Sequence, residues 1–303
     1  MNIQKGGEGV LRRKIGFYLT LLFGCGLFVA RLFLYQTQID PVACVYQGDS
    51  LWVYLPLLLL VLGGLIGLIF YYCKEEAEMP IFPGGTQGFS AICCFVLALG
   101  VADVALGYFL NSSRFFNLFQ SNLLFAIAYS LCVLAAPAGL IGSGIQLLMP
   151  KRGKISAVFP LLPLPFFLVR LLQYYLGSFS IRAIAEFPWE MGMLAAECIF
   201  FLFYARRISG YRDRRTLWMS GFFAGLCLLL TLASGGVRFF LLLRQPELLN
   251  AYNQPVVLDL TFALLSLSEL ASLSFGRSGD PAQFCDQSGP TLQEEEEAGF
   301  VLF

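Results

Sequence analysis

Histidine is absent from the 303-residue chain. This absence excludes the Ser-His-Asp and Cys-His catalytic arrangements and removes the commonest metal ligand and general base. Charged residues are also scarce, at 13% of the sequence, whereas a soluble domain carries about 25%. The 20 basic and 20 acidic residues balance, so the composition indicates no nucleic-acid partner. We predict no metal site, no cofactor and no catalytic residues.

Hydrophobic residues, in contrast, make up 57% of the chain and lie in long runs. A helix that crosses a hydrocarbon core of about 30 Å needs about 20 such residues. Residues 1–273 are therefore predicted to form an all-α, polytopic transmembrane helical bundle of about eight spans. The expected spans are 15–35, 51–72, 89–110, 123–149, 155–177, 189–205, 217–242 and 256–273. Residues 274–303 are rich in Gly, Ser and Glu, which predicts a disordered acidic cytoplasmic tail.

The fifth expected span contains Pro160, Pro163 and Pro165. Proline lacks the backbone donor of a regular helix, and its ring crowds the carbonyl four residues earlier. Membrane helices tolerate such residues where neighbouring helices satisfy the freed carbonyls. We therefore predict that this span is broken within residues 159–165.

Orientation is predicted from lysine and arginine, which concentrate in cytoplasmic loops. The strongest signal is the loop Arg206–Arg215, which contains five arginines in ten residues. It predicts a multi-pass protein of the cell (cytoplasmic or plasma) membrane with both termini in the cytoplasm. The expected partner is the lipid bilayer, and Arg206–Arg215 is a candidate surface for anionic lipid or a cytoplasmic protein.

Ionisable residues inside the predicted spans are the candidate site. Burying such a residue in a bilayer costs free energy unless it is paired or faces water, so each one is a candidate functional residue. The candidates for substrate binding are Asp103, Arg170, Glu197, Arg238 and Asp259. Arg170 is expected to pair with Asp103, which lies at a matching depth, or with Glu197 as the second choice.

Helical periodicity assigns faces to the charged spans. Each of the last three spans carries its charges on one stripe that is expected to face the bundle interior. The stripes are Glu186, Glu190, Met193, Glu197 and Tyr204; Cys227, Thr231, Ser234 and Arg238; and Asp259, Ala263, Ser266 and Glu269. In the third span, Gly100 and Gly107 are expected to share a packing face with Asp103.

Two classes of function fit these features. One is a transporter or permease-like protein that moves a small polar or anionic solute through a charged cavity in the outer half, because proline-broken helices with nearby charge typify midplane sites. The other is a non-catalytic membrane sensor, scaffold or assembly subunit, in which the same charges are interhelical salt bridges. A membrane enzyme acting on lipid is the third alternative, but no spaced acidic motif lies on a loop.

Overall fold

The computed structural model describes residues 3–37, 51–71, 80–81, 84–110, 123–149, 158–178, 187–209, 214–244, 255–275 and 277–278. Within these ranges the chain is a bundle of helices. They are α1 (Ile3–Thr37), α2 (Tyr54–Phe70), α3 (Gly84–Leu110), α4 (Leu123–Leu148), α5 (Val158–Leu161), α6 (Pro163–Ser178), α7 (Phe187–Ile208), α8 (Arg214–Thr231), α9 (Val237–Arg244) and α10 (Val256–Phe275). A helix covers most of each expected span, and the predicted all-α bundle is confirmed.

Six helical stretches are long and apolar enough to cross a membrane. The protein is therefore a multi-pass membrane protein with a lipid bilayer as its environment. The other two expected spans correspond to α2, an apolar helix of 17 residues, and to α7, whose 22 residues include four charged ones. The count of eight spans stays a prediction.

The centre of the bundle is formed by α8 and α10, which pack against each other and against α1. Helix α7 covers another side of α8, and α3 lies between α10 and α4. Helix α6 packs between α4 and α7. As a result, α6, α7 and α10 can all direct side chains towards one region of the interior.

The fifth expected span is broken, as the prolines predict. Helix α5 ends at Leu161 and α6 begins at Pro163, with Leu162 in a turn between them. Helix α4 comes close to this break, because a Cβ on Gly139 would lie only 2.6 Å from the carbonyl oxygen of Phe159. The glycine thus permits an approach that any larger residue would prevent.

A second interruption was not predicted from the sequence. Residues Leu232–Gly236 form a π-helical segment between α8 and α9. Such a segment inserts an extra residue into the helical turn, and it is found frequently at functional sites. The Ser234-Gly235-Gly236 sequence in it is the local signal, because small residues accommodate the altered backbone.

A short antiparallel strand pairing joins the segments that follow α2 and α10. Strand β1 (Pro80–Ile81), which follows α2, pairs with β2 (Arg277–Ser278), which follows α10. The C-terminal ends of α2 and α10 therefore lie at the same end of the bundle, as alternating spans require. The remainder of the expected tail lies outside the described residues, and the cytoplasmic position of both termini stays a prediction.

Candidate functional site

Asp259 of α10 is the centre of a buried group of charges. Its side chain is fully buried, and both of its carboxylate oxygens accept hydrogen bonds from arginines. Arg170 of α6 donates from Nη2 to Oδ1 over 2.7 Å, and Arg238 of α9 donates from Nη2 to Oδ2 over 2.8 Å. Two guanidinium groups on different helices thus hold one carboxylate between them.

Glutamates of α7 stand at the two ends of this arrangement. Glu190 Oε1 lies 2.7 Å from Nη1 of Arg238, and Glu197 Oε2 lies 3.6 Å from Nη1 of Arg170. We call the resulting sequence of alternating charges, Glu190–Arg238–Asp259–Arg170–Glu197, the charge chain. Its side chains are at most 7% exposed, so it is closed to water and lipid in this structure.

The sequence identified most of these residues. Arg170, Glu197, Arg238 and Asp259 were all candidates, and the structure brings them into one chain. Glu190 is an additional member, on the same stripe of α7. The interior positions expected for the last three spans are confirmed for the described residues, because every stripe residue from Glu190 onwards is buried. Glu186 lies outside the described residues.

Asp103 is a correction. Its side chain is exposed, and it forms no ion pair with any residue in the described ranges. The buried face of α3 includes Val101 and Ala105, and Asp103 lies about 200° around the helix from Val101. It shares the exposed face with Leu99 and Leu106. The expected pairing of Arg170 with Asp103 is therefore wrong, because the direction of a span predicts depth along the helix but not rotation about its axis.

The two glycines next to Asp103 also differ from expectation. Gly100 is buried against α10, where an added Cβ would lie 2.5 Å from Oγ1 of Thr261. Gly107 has no atom of another residue within 4 Å of its Cβ position. The expected common packing face of Gly100, Asp103 and Gly107 is thus limited to Gly100.

The π-helical segment packs directly on the charge chain. A Cβ on Gly235 would lie 2.7 Å from the Cβ of Asp259, so the backbone there approaches the carboxylate closely. Ser234 accepts hydrogen bonds from Arg238 at its carbonyl oxygen, over 3.4 Å, and at its hydroxyl, over 3.2 Å. The segment therefore positions both Asp259 and Arg238.

Arg31 of α1 reaches the same segment from the other side. Its Nε donates to the carbonyl oxygen of Ala233 over 3.5 Å. Its guanidinium carbon lies 4.7 Å from the ring centre of Trp189, the residue before Glu190. The cation–π contact helps to offset the burial of this arginine, and it places a third positive charge at the Glu190 end of the charge chain.

A second buried ion pair joins α7 and α10 further along both helices. Nη2 of Arg207 donates to Oε2 of Glu269 and, over 2.9 Å, to the hydroxyl of Ser272. Ser220 donates to Oε1 of Glu269 over 2.7 Å. The sequence placed Arg207 in the cytoplasmic loop Arg206–Arg215, but α7 continues to Ile208 and Arg207 is buried. Arg207 is therefore not part of an exposed basic surface.

Four phenylalanines occupy the positions between the charge chain and the Arg207–Glu269 pair. Phe200 and Phe201 follow Glu197 on α7, Phe262 follows Asp259 on α10, and Phe167 precedes Arg170 on α6. All four are fully buried. The rings of Phe201 and Phe262 lie 5.7 Å apart, and that of Phe167 lies 4.9 Å from Phe201.

The geometry defines what the site can bind. Two guanidinium groups that converge on one carboxylate form a site for an anionic group, because each presents parallel N–H donors suited to a carboxylate or phosphate. In the described part of the chain, no three Cys, Asp or Glu residues are grouped so as to hold a metal ion. The two guanidinium groups give the site the chemistry of anion binding.

No protein-family model, curated protein or solved structure matches this chain.

Proposed function

We propose that this membrane protein is a transporter or permease-like protein for a small polar or anionic solute, and that the charge chain is its solute site in a closed form. The supporting observation is the position of Asp259 between Arg170 and Arg238, at 2.7 and 2.8 Å. A carboxylate or phosphate of a solute would make the same hydrogen bonds to the two arginines. Asp259 therefore occupies the place that the anionic group of the solute would take.

Opening of the site requires helices to move, and two of the contributing helices are interrupted. The fifth span is broken at Leu162, which leaves Arg170 on the separate helix α6. The seventh is interrupted by the π-helical segment Leu232–Gly236, immediately before Arg238. Interrupted helices let one part turn relative to the other, as in transporters whose solute sites lie near the membrane midplane. Either arginine could then leave Asp259 without displacement of the whole bundle.

The proposed transporter has the orientation that the sequence predicts. We place it in the cell membrane with both termini in the cytoplasm and the charge chain in the outer half. The loop after α7 is then cytoplasmic. Arg206 near the end of α7 and Arg215 at the start of α8 are exposed beside this loop and could contact anionic lipid or a cytoplasmic protein.

A second candidate function is that of a non-catalytic membrane sensor, scaffold or assembly subunit. One observation favours it, namely that both Arg170 and Arg238 already contact two carboxylates each. Such a network could serve only to fix the packing of α6, α7, α9 and α10. The two functions differ in whether an anion that binds the arginines is carried across the membrane.

Ligand-dependent stabilisation of the purified protein tests the proposal. The protein in detergent is heated with phosphate, sulfate, lactate, succinate or glutamate, each added as the sodium salt at constant ionic strength. A ligand present at about 100 times its Kd stabilises the folded state by about 2.7 kcal/mol. We expect stabilisation by at least one anion, and its loss in Arg170→Ala and Arg238→Ala.

Arg244→Ala is the matched control, because Arg244 is an exposed arginine on the same helix as Arg238. It should retain the stabilisation. An anion that passes this test is then assayed for uptake into liposomes that contain the protein. Equal stabilisation of the wild type and the Arg170→Ala and Arg238→Ala variants would reject the site, and binding without uptake would favour the sensor.

A further inference from the structure

The three fully buried carboxylates described above differ in their hydrogen bonding. Both oxygens of Asp259 accept hydrogen bonds, from Arg170 and Arg238. Both oxygens of Glu269 also accept hydrogen bonds. In contrast, neither oxygen of Glu197 accepts a hydrogen bond from any described residue, although its side chain is 0% exposed. Its nearest charge is Nη1 of Arg170 at 3.6 Å, beyond hydrogen-bonding distance.

An ionised carboxylate in such a place is strongly disfavoured. A buried charge without hydrogen bonds loses its solvation and gains little in return, so the group becomes neutral instead. Arg170 offers only weak compensation, because its short hydrogen bond goes to Asp259. Of the three carboxyl groups in the charge chain, those of Asp259 and Glu190 each lie 2.8 Å or less from a guanidinium nitrogen. Glu197 is the member with the poorest compensation.

We propose that Glu197 is the proton-binding site of this protein and that proton binding there is coupled to anion binding at Arg170 and Arg238. This inference rests on the proposed transport function. When Arg170 contacts another anion, either Asp259 or the solute, Glu197 holds a proton, taken up from the aqueous phase while the site was open, as a neutral carboxyl group. When Arg170 turns to Glu197, the O–H bond breaks, the proton returns to water and the carboxylate pairs with the guanidinium.

The groups around Glu197 support this assignment. Arg170 faces it from α6, Asp259 from α10 and Arg238 from α9. Cys227 on α8 and the adjacent Cys198 are the nearby thiols. On its own helix, Glu190 is two turns away and pairs with Arg238, and Arg31 lies beyond it against Trp189. Of these groups, Arg170 is the one whose guanidinium lies within 4 Å of a carboxylate oxygen of Glu197.

The coupling between the two sites has a definite sign. A bound anion adds negative charge beside Glu197 and occupies Arg170, and both effects favour the protonated carboxyl group. By reciprocity, the proton at Glu197 favours binding of the anion. The form of the protein that binds the anion is therefore expected to carry the proton as well, which makes the proposed transport a symport of an anion with a proton.

Infrared spectroscopy of the solute-free protein in lipid nanodiscs tests the proton site directly. A protonated carboxyl group has a C=O stretch that is separate from the bands of carboxylate and amide groups. We expect this band in the wild type at neutral pH and its loss in Glu197→Gln. Glu190→Gln is the matched control, because it makes the same change on the same helix in a glutamate that is already paired, and it should retain the band.

Folding of the variants is checked by size-exclusion chromatography and by denaturant titration. Because glutamine resembles the protonated side chain, Glu197→Gln should unfold at the same denaturant concentration as the wild type. Identical spectra of the wild type and Glu197→Gln at neutral pH would overturn the proposal. A Glu197→Gln variant destabilised as much as Asp259→Asn would also overturn it, because that result would show that the charge of Glu197 stabilises the fold.

The two proposals fail separately. The infrared band of protonated Glu197 is measured without solute. If the band is present but no anion binds, the transport proposal is rejected and the proton site is retained. Anion binding that depends on Arg170 but is accompanied by no Glu197 band rejects the proton site and leaves the anion site intact.

Discussion

Asp259→Asn is the substitution to which the structure assigns the clearest cost. The aspartate is fully buried and accepts one short hydrogen bond from each of two arginines. Asparagine has nearly the same shape, but it lacks the negative charge and directs an amide donor towards one of the guanidiniums. Removing one partner of a buried ion pair costs about 3–5 kcal/mol, because the remaining charge stays buried.

The contacts that remain in the Asp259→Asn variant decide where in this range its loss of stability falls. In Asp259→Asn, Arg238 keeps Glu190 at 2.7 Å, whereas Arg170 keeps only Glu197 at 3.6 Å. We therefore expect a loss near the lower limit, about 3 kcal/mol in the free energy of unfolding. A second change, Arg170→Met, removes the weakly compensated guanidinium and should restore part of the loss, with a coupling of about 0.5–3 kcal/mol.

Equilibrium unfolding in mixed detergent micelles, followed by tryptophan fluorescence, measures these differences. Asp103→Asn is the matched control, because Asp103 is exposed and its substitution should change the free energy by no more than about 0.5 kcal/mol. Equal losses for Asp259→Asn and Asp103→Asn, or strictly additive losses for Asp259→Asn and Arg170→Met, would refute the reasoning.

Three further predictions concern other parts of the molecule. Gly235→Ala places a methyl group 2.7 Å from the Cβ of Asp259, so it should lower the free energy of unfolding by about 1–3 kcal/mol. Gly64→Ala is its control in the same unfolding assay and should be neutral or stabilising, because no neighbouring atom lies within 4 Å of the added Cβ. Arg207→Ala leaves a buried glutamate unpaired and should cost about 3–5 kcal/mol, whereas Arg206→Ala at an exposed position should cost little. The predicted orientation places Cys44 outside the cell, so a membrane-impermeant thiol reagent should label it on intact cells. Absence of this label would contradict the predicted orientation.

The architecture could be predicted because a membrane imposes simple rules on a sequence. Long apolar runs predicted helices, and a helix covers most of each expected span. Three prolines predicted the break at Leu162, because proline removes a backbone donor. The 3.6-residue period predicted that Glu197, Asp259 and Arg238 face the interior, and all three are buried.

The pairing of charges could not be predicted in the same way. A span and its direction give the depth of a residue, but the rotation of each helix depends on all of its neighbours. Asp103 and Arg170 were expected at the same depth, yet Asp103 lies on the exposed face of α3. Leu99 and Leu106 lie on the same exposed side of α3 as Asp103. Because all faces of α3 are largely apolar in sequence, only the fold shows which of them packs against α10.

Helix ends were a second source of error. Arg207 lies in a basic sequence that is typical of a cytoplasmic loop. In the structure α7 continues past the expected end of the span at residue 205, and one more turn brings Arg207 to Glu269. The π-helical segment Leu232–Gly236 was missed for a related reason, because hydropathy is unchanged by an extra residue in one turn.

The two buried ion-pair groups differ in a way that bears on function. Each carboxylate oxygen of Glu269 accepts a hydrogen bond, one from Arg207 and one from Ser220. Hydrogen bonding at both oxygens of a buried carboxylate is what a fixed structural contact requires. The charge chain has complete hydrogen bonding at Asp259 but not at Glu197, whose nearest guanidinium nitrogen is 3.6 Å away. Incomplete satisfaction of a buried charge is costly, and natural proteins retain such a cost mainly at functional sites. The difference between the two groups therefore favours a functional role for the charge chain, in which Arg170 exchanges partners, and a structural role for the Arg207–Glu269 pair.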